Sequence, residues 1–501
     1  MIRSCGSPFG DARIKRLIAE TFSAAAEGPV RVAAISSVGP DVSHETDTIA
    51  AIVTPPGIGG IGVVRISGPD ARRIARTIFR PSGKQETLES HRLYHGDVVC
   101  PETGAVLDEC LAALLLAPRS FTGEDSLEIS CHGNPLILES VLRAAVSAGA
   151  RPAGPGEFTR RAFLNNRIDL AQAEAVAELI GARTERGARY ALNQLRGGLS
   201  EEIERQLSVV LDSLSLIEAE MDFSEEELES PSRSELRARI SACASELKRL
   251  AETYRQGRVF STGIRIVIAG KPNVGKSSLL NRFAGERRAI VTPIPGTTRD
   301  FLEKAVTIDG IPVILTDTAG IRDPQDEIER IGIGFVREKI AEADLVIALL
   351  DGSEEIAPED AEILQLCLKK PAIVAVNKSD LPRRLNVNAL RTGIPDNPLL
   401  WISAKTGEGI ESLGKAIRRE ALAGDDDPGN EVVVTNLRHR LALERAAGFL
   451  FQAAEGIDRQ RPPELIAQDL RDALTALEDI TGATSPEEIL DRIFSRFCIG
   501  K

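Results

Sequence analysis

The stretch IRIVIAGKPNVGKS (264–277) decides the architecture of the middle of this chain. IRIVIA is β-branched and apolar apart from one arginine, the composition of a buried strand. Glycine and proline then break the pattern, and the residues after GKS open a helix-like periodicity. GKPNVGKS (270–277) fits G-x-x-x-x-G-K-[ST]. In such a loop the N–H groups around Val274, Gly275 and Ser278 and the helix N-terminus cradle phosphates. Lys276 reaches the outer phosphates and the Ser277 hydroxyl binds Mg²⁺.

Four further segments follow in order. GTTRD (296–300) offers Thr298 as a second Mg²⁺ hydroxyl. DTAG (317–320) ends the apolar run PVIL: Asp317 holds Mg²⁺ through water, and the Gly320 amide, after Thr318 and Ala319, meets the outermost phosphate. NKSD (377–380) places Asn377, Lys378 and Asp380 after another strand. The Asp380 carboxylate can accept both the N1–H and the exocyclic amine of guanine. Adenine lacks that donor pair, so the site selects GTP. In SAK (403–405), between Ser403 and Lys405, the Ala404 amide can donate to guanine O6. Order and spacing resemble translation-factor-type GTPases. Ile321 follows DTAG, where Ras-like enzymes use a glutamine to orient water. Asn273 is therefore a candidate ligand for a monovalent cation that supplies positive charge at the phosphates. Glu329, in DEIERIG (326–332), is a candidate to orient the attacking water.

Outward from this block, strands at IRIVIAG, AVTI, PVILTDTAG, DLVIALLD, AIVAVNKSD and LLWISA alternate with helix-like stretches. This pattern predicts a doubly wound, mostly parallel sheet over 263–425. Before it, Leu199, Ile203, Leu207, Val210, Leu214 and Ile217 recur at helical steps, as do Leu236, Ile240, Cys243, Leu247, Leu250 and Tyr254. After the linker GDDDPGN (424–430), Ile466, Leu470, Leu474 and Leu477 form another stripe, and Ser485-Pro486-Glu487-Glu488 reads as a helix start. Residues 166–262 and 426–501 then read as two parts of one helical domain interrupted by the α/β block, or as two independent helical domains. Residues 47–165 read as an α+β domain. It has a strand, a Pro/Gly turn and a strand in IAAIVTPPGIGGIGVVRISG (49–68), further strands in ECLAALLLAP (109–118) and SLEISCHG (126–133), and helical patterns between them. The whole is a multidomain α/β chain.

The composition, 43% hydrophobic and 27% charged over 501 residues, is that of a globular multidomain protein. Net charge is −13, which excludes a general nucleic-acid coat. No apolar run is long enough to span a bilayer, so no membrane anchor is expected. Seven cysteines without a C-x-x-C pair point to a reducing, cytoplasmic setting. Residues 1–46 are rich in Ala, Ser and Gly, with five basic and five acidic residues. They read as a disordered extension or an upstream start, because transit peptides are poor in acids.

The chain ends in FCIGK (497–501). With DTIAAIVTPPGIGGIGVVRISG (47–68), SFTGEDSLEISCHG (120–133), RPAGPGEFTRRAFLNNRIDLAQAEAVAELI (151–180) and the nucleotide segments, the chain resembles the MnmE (TrmE) family of tRNA modification GTPases over about 47–501. The resemblance implies a tetrahydrofolate-binding N-terminal domain that forms a homodimer and a discontinuous helical domain holding the inserted P-loop GTPase. Hydrolysis would be K⁺-activated. It further implies a complex, heterotetramer or larger, with an FAD-dependent MnmG (GidA) family protein. The product would be an aminomethyl or carboxymethylaminomethyl group on C5 of the wobble uridine of certain tRNAs.

By the same resemblance Asn273, Thr292, Ile294 and Thr297 are K⁺ ligands. The loop between them, with Pro293, Pro295 and Gly296, turns backbone carbonyls toward the ion. Ser277 and Thr298 match Mg²⁺ ligands, Glu329 the water-orienting glutamate and Arg322 a switch arginine. Arg65, Glu128 and Lys501 match contacts to a 5,10-methylene or 5-formyl tetrahydrofolate. Arg167 stands where the family often has lysine, a change of hydrogen-bond geometry. The tail is expected to fold toward the folate, with Cys498 acting in the modification or placing the tail. Arg438-His439-Arg440 and Arg160, Arg161 and Arg167 are candidate basic patches for tRNA. A ribosome-assembly GTPase is the rival reading, but no GxxG loop of a KH module follows residue 424.

Overall fold

Val64 and Ile66 are buried on one face of β2 (Gly59–Ser67), which puts Arg65 on the other. This computed structural model describes residues 47–83, 87–222, 232–286, 303–317, 337–387, 390, 397–422, 424, 432–483 and 487–501. Around β2 the first sheet runs β3-β4-β5-β6-β2-β1-β7. Its other strands are β1 (Ile49–Ile52), β3 (Phe79–Pro81), β4 (Leu93–Val99), β5 (Val106–Leu115), β6 (Ser126–Gly133) and β7 (Arg151–Pro152). The β1–β7 pair is parallel and the other pairs are antiparallel. α1 (Ala71–Ile78) and α2 (Pro135–Ser147) cover the apolar face through Ile74, Ile78, Leu138 and Val141. Asn134 caps α2 by accepting from the Leu136 N–H, and Pro135 takes the first helical position.

Two features of this sheet depart from the sequence reading. β3 and β4 have no counterpart in it, because β3 is only three residues long and polar His95 and Asp97 interrupt β4. Residues 116–125, between β5 and β6, form turns rather than a helix. Polar side chains organise those turns: Ser120 Oγ donates to the Glu124 carbonyl at 2.5 Å, and Ser67 Oγ donates to Glu124 Oε2 at 2.7 Å.

The helical stripes form as read except at Tyr254, which begins a separate helix and is only partly buried against the same core. Leu199, Ile203, Val210, Leu214 and Ile217 of α6 (Gly198–Asp222) are buried, with Leu207 partly so. Leu236, Ile240, Cys243, Leu247 and Leu250 of α7 (Arg233–Glu252) face them. The same core contains Leu443, Ala446 and Leu450 of α12 (Leu437–Asp458) and Ile466, Leu470, Leu474 and Leu477 of α13 (Pro463–Thr481). Helices before and after the α/β block therefore bury their apolar faces together. α3 (Glu157–Leu164), α4 (Leu170–Gly181), α5 (Glu185–Leu195) and α8 (Tyr254–Ser261) connect the layers, and α14 (Glu487–Phe494) closes the chain. Reciprocal capping boxes, Asp169 with Gln172 and Ser232 with Glu235, start α4 and α7. The proposed cap at Ser485-Pro486 lies outside the described residues.

The second sheet has the order β13-β12-β11-β8-β10-β9. Its strands are β8 (Ile264–Ala269), β9 (Glu303–Ile308), β10 (Ile311–Asp317), β11 (Leu345–Asp351), β12 (Ala372–Asn377) and β13 (Leu399–Trp401). All neighbours are parallel except β10–β9. Every residue of β11 and β12 is buried, as a parallel sheet covered on both faces requires. α9 (Lys276–Glu286), α10 (Pro358–Cys367) and α11 (Ile410–Leu422) supply cover. No described helix is long and apolar enough to cross a membrane.

Candidate functional site

The loop 270–275 leaves the end of β8 and enters α9. Two residues need the left-handed region: Asn273 (φ 62°) and Gly275 (φ 102°). A Cβ on Gly275 would sit 2.2 Å from Asn377 Nδ2, so only glycine fits. Lys276 is 6% exposed, and its ammonium donates to the carbonyls of Gly270 (2.8 Å) and Lys271 (2.7 Å). Its charge is thus held at the rim of the loop, where an outer phosphate would accept from it. Asn273, Ser277 and Ser278 are exposed on the same loop and first turn.

Asn377 joins this loop to the NKSD (377–380) and SAK (403–405) segments. Its Nδ2 donates to the Val274 carbonyl at 2.7 Å, and its Oδ1 accepts from the Ala404 N–H at 2.9 Å. Ser403, fully buried, donates its hydroxyl to Asp380 Oδ1 at 2.6 Å. That bond holds the exposed Asp380 carboxyl below its usual range, ionised and ready to accept. Lys378 (φ 64°) pairs with Asp351. Arg282, on α9, holds the carbonyls of Ala404, at 3.1 Å, and Lys405. Sequence reasoning missed Arg282, because no motif marks it.

The second assembly is at the chain's end. Arg65 and Glu128 face each other across β2 and β6, with Nε–Oε1 at 2.9 Å. The Arg65 guanidinium lies over the rings of Phe121 (5.3 Å) and Phe158 (5.7 Å). The tail docks onto the same wall. Ile499 bridges Pro155, the Gly156 N–H donates to the Cys498 carbonyl at 3.4 Å, and the Phe158 N–H donates to the Lys501 carbonyl at 3.2 Å. Gly500 (φ 97°) packs so tightly that a Cβ would lie 2.6 Å from the Ile52 carbonyl. Phe494 and Phe497 anchor the turn in an apolar cluster with Leu170 and Val176. Burial, and then the charge of Arg65, lower the Lys501 pKa, while Glu128 and Cys498 oppose the shift. Cys498 is exposed. Arg167 is exposed and lies against Gly123, two residues from Phe121.

Comparison with known proteins gives these segments a common context. The sequence model of the MnmE helical domain matches residues 170–498, and that of the GTP-binding protein TrmE N-terminus matches 48–167. The tRNA modification GTPase MnmE of Syntrophus aciditrophicus is 49% identical over 455 residues, 91% of this chain and 99% of that one. The protein of the same name from Geobacter metallireducens is 46% identical over 460 residues, again 91% and 99%. This chain belongs to the MnmE family.

Several residues singled out for the MnmE resemblance lie outside the described residues: Thr292, Pro293, Ile294, Pro295, Gly296, Thr297, Thr298, Thr318, Ala319, Gly320, Arg322 and Glu329. Asp317 ends β10, in register with Ile268 of β8, which carries it to the phosphate-loop end of the sheet. The structure corrects part of each of the two basic patches. His439 is fully buried and donates from Nε2 to Glu174 Oε2 at 2.6 Å; Arg438 pairs with the same carboxylate at 2.7 Å. Arg161 is 6% exposed and bonded to Asp47, Glu124 and Glu157, and Arg160 pairs with Glu487 and Asp491. Arg438, His439 and Arg161 thus neutralise carboxylates inside the fold, whereas Arg440, paired with Glu444, is partly exposed and Arg167 is exposed. Adjacent basic residues looked like surface because their acidic partners are distant in sequence.

Proposed function

We propose that this member of the MnmE family couples GTP hydrolysis to modification of C5 of the wobble uridine of certain tRNAs, using a tetrahydrofolate one-carbon unit. The observation that carries this reading is the docked tail, which brings Lys501, with Cys498 next to it, to the Arg65–Glu128 pair. The wall offers two cations, a carboxylate and two aromatic rings. That set suits a pterin with N–H donors and a glutamyl carboxylate. Arg65, Glu128, Lys501 and Arg167 would hold the folate, whose chemistry is supply of the one-carbon unit. Cys498, exposed next to Lys501, would act on the uridine or seat the tail.

At the other site Asp380 and Ala404 select guanine, and Lys276 meets the outer phosphates. Ser277 and Thr298 would hold Mg²⁺. Because Ile321 can neither donate nor accept, Glu329 orients water, with Arg322 as the switch arginine. Asn273, Thr292, Ile294 and Thr297 would hold K⁺, whose charge replaces an arginine finger.

The chain works as a homodimer with an FAD-dependent MnmG (GidA) family protein and tRNA in the cytoplasm. Exposed Ile58, Ile61, Leu93, Leu111 and Leu136 around the first sheet support a second copy there. The six unpaired cysteines of the described residues support a reducing compartment.

The test is mass spectrometry of tRNA nucleosides from cells lacking the gene, complemented with the intact chain or with Cys498→Ser. The intact chain restores the C5-modified uridine; failure to do so while GTP is still hydrolysed would overturn the reading. GTP turnover is faster in KCl than in NaCl, and equal rates would remove the K⁺ site.

A further inference from the structure

Residues 432–436 return the chain from the α/β block to the helices, and consecutive residues there enter two different cores. Val433 is buried with Phe260 of α8 and with Ile264 and Val313 of the α/β block. Val434 is buried with Leu247, Leu250 and Leu443 of the helical core. Neither can slide alone. The Val434 N–H donates to Thr253 Oγ1 at 3.0 Å, and a Cβ on Gly257 would lie 2.1 Å from the Val434 carbonyl. Thr253 and Gly257 sit where α7 gives way to α8, on the outward crossing that leads to β8. Both crossings between the two layers are therefore clasped at one point.

Polar contacts carry this clasp into the helices. Thr435, 4% exposed, donates its hydroxyl to Glu178 Oε2 on α4 at 2.6 Å and lies 3.2 Å from Gln194 Oε1 on α5. Asn436 Nδ2 donates to Glu174 Oε1 at 3.1 Å, while its Oδ1 caps α12 by accepting from the Arg438 N–H at 2.9 Å. The chain of contacts runs without a gap from the α/β core to α4, α5 and α12.

We propose that Thr435, with Gly257 and Glu178, forms the coupling joint through which the nucleotide state of the α/β block repositions the helices. This rests on the proposed function but is tested without it. Close-packed cores switch between discrete arrangements rather than deform gradually. A shift of β8 or α8 moves Val433 and Val434 together, and the Thr435 hydroxyl passes that shift to α4. Thr435 is a positioning residue and touches neither nucleotide nor folate.

Hydrogen–deuterium exchange of the full chain, in KCl and MgCl₂, with and without a non-hydrolysable GTP analogue, reads the joint directly. In the parent the analogue changes exchange in peptides of 270–286 and also in α4 and α12. In Thr435→Val the first change persists and the second falls about five-fold or more, and Thr435→Ser restores it. Glu178→Ala, which removes the acceptor of the same bond, reproduces the loss and serves if Thr435→Val does not fold. In tRNA assays, modified uridine per GTP hydrolysed falls about ten-fold in Thr435→Val, with GTP turnover within about two-fold of the parent. A parental-sized response in α4 and α12 of Thr435→Val, or no response there in the parent, overturns the joint. A parent that transmits the change but modifies no tRNA overturns the function and leaves the joint standing.

Discussion

Gly275 sits where no other residue fits, and its replacement gives the sharpest single-site expectation. Gly275→Ala must relieve a 2.2 Å contact with Asn377 at a positive φ, so Asn377 leaves both Val274 and Ala404. The strain costs about 1–3 kcal/mol. Labelled-GDP titration is expected to show affinity lowered by more than about ten-fold, since 1.4 kcal/mol is a factor of ten.

Glu178 carries a pH expectation at the same scale. Burial, with the neighbouring Glu174 charge adding and the Thr435 bond opposing, pushes its carboxyl from 4.5 up to about 7. The folded chain then binds more protons than the unfolded chain between those values, so this group's stability is lost as pH rises through that window. Glu174 has the opposite sign: although burial pushes it up, His439 and Arg438 hold it at about 2, so its stability is lost as pH falls. Glu178→Gln keeps an acceptor for Thr435 and removes the high-pH penalty. Its melting temperature should gain on the parent between pH 5 and pH 8, and a difference flat with pH would contradict the assignment.

Among the elements, the docked tail and the α6–α7 pair respond differently to substitution. Gly500→Ala cannot keep φ 97° and its 2.6 Å approach to Ile52 without strain, so the last residues lift away. Carboxypeptidase should remove Lys501 faster from that variant, while the melting temperature stays close to the parent because the Phe494–Phe497 anchor remains. Leu247→Ala acts on a fully buried position of α7 and should cost about 2–5 kcal/mol in urea unfolding. These elements were readable to different depths. The stripes of α6, α7 and α13 and the strands of the second sheet follow from local periodicity. β3, β4 and the turns at 116–125 did not, because cross-strand pairing and side-chain hydrogen bonds decide them, one local from Ser120 to the Glu124 carbonyl and one from Ser67, 57 residues before Glu124.

At the scale of the whole molecule, one helical core is assembled from both sides of the α/β block. A fragment ending at residue 424 would leave Leu236, Ile240 and Leu247 without their α12 and α13 partners. It is expected to lose helical circular dichroism in α6 and α7 and to self-associate, which sedimentation would detect. The sequence by itself determined the loop 270–277, the NKSD and SAK segments that end neighbouring strands, the parallel sheet and the helical stripes. In each of these the chemistry depends on spacing within a few residues, or on a period that one element carries alone. Only the tertiary structure decided that Lys501, with Cys498 next to it, lies beside Arg65 and Glu128, that Arg438, His439 and Arg161 pair with carboxylates inside the fold, and that Val433 and Val434 enter two cores. Those facts depend on contacts between residues up to several hundred positions apart. Such contacts are set by which apolar faces bury together and which buried charges find partners, and no local pattern encodes that choice.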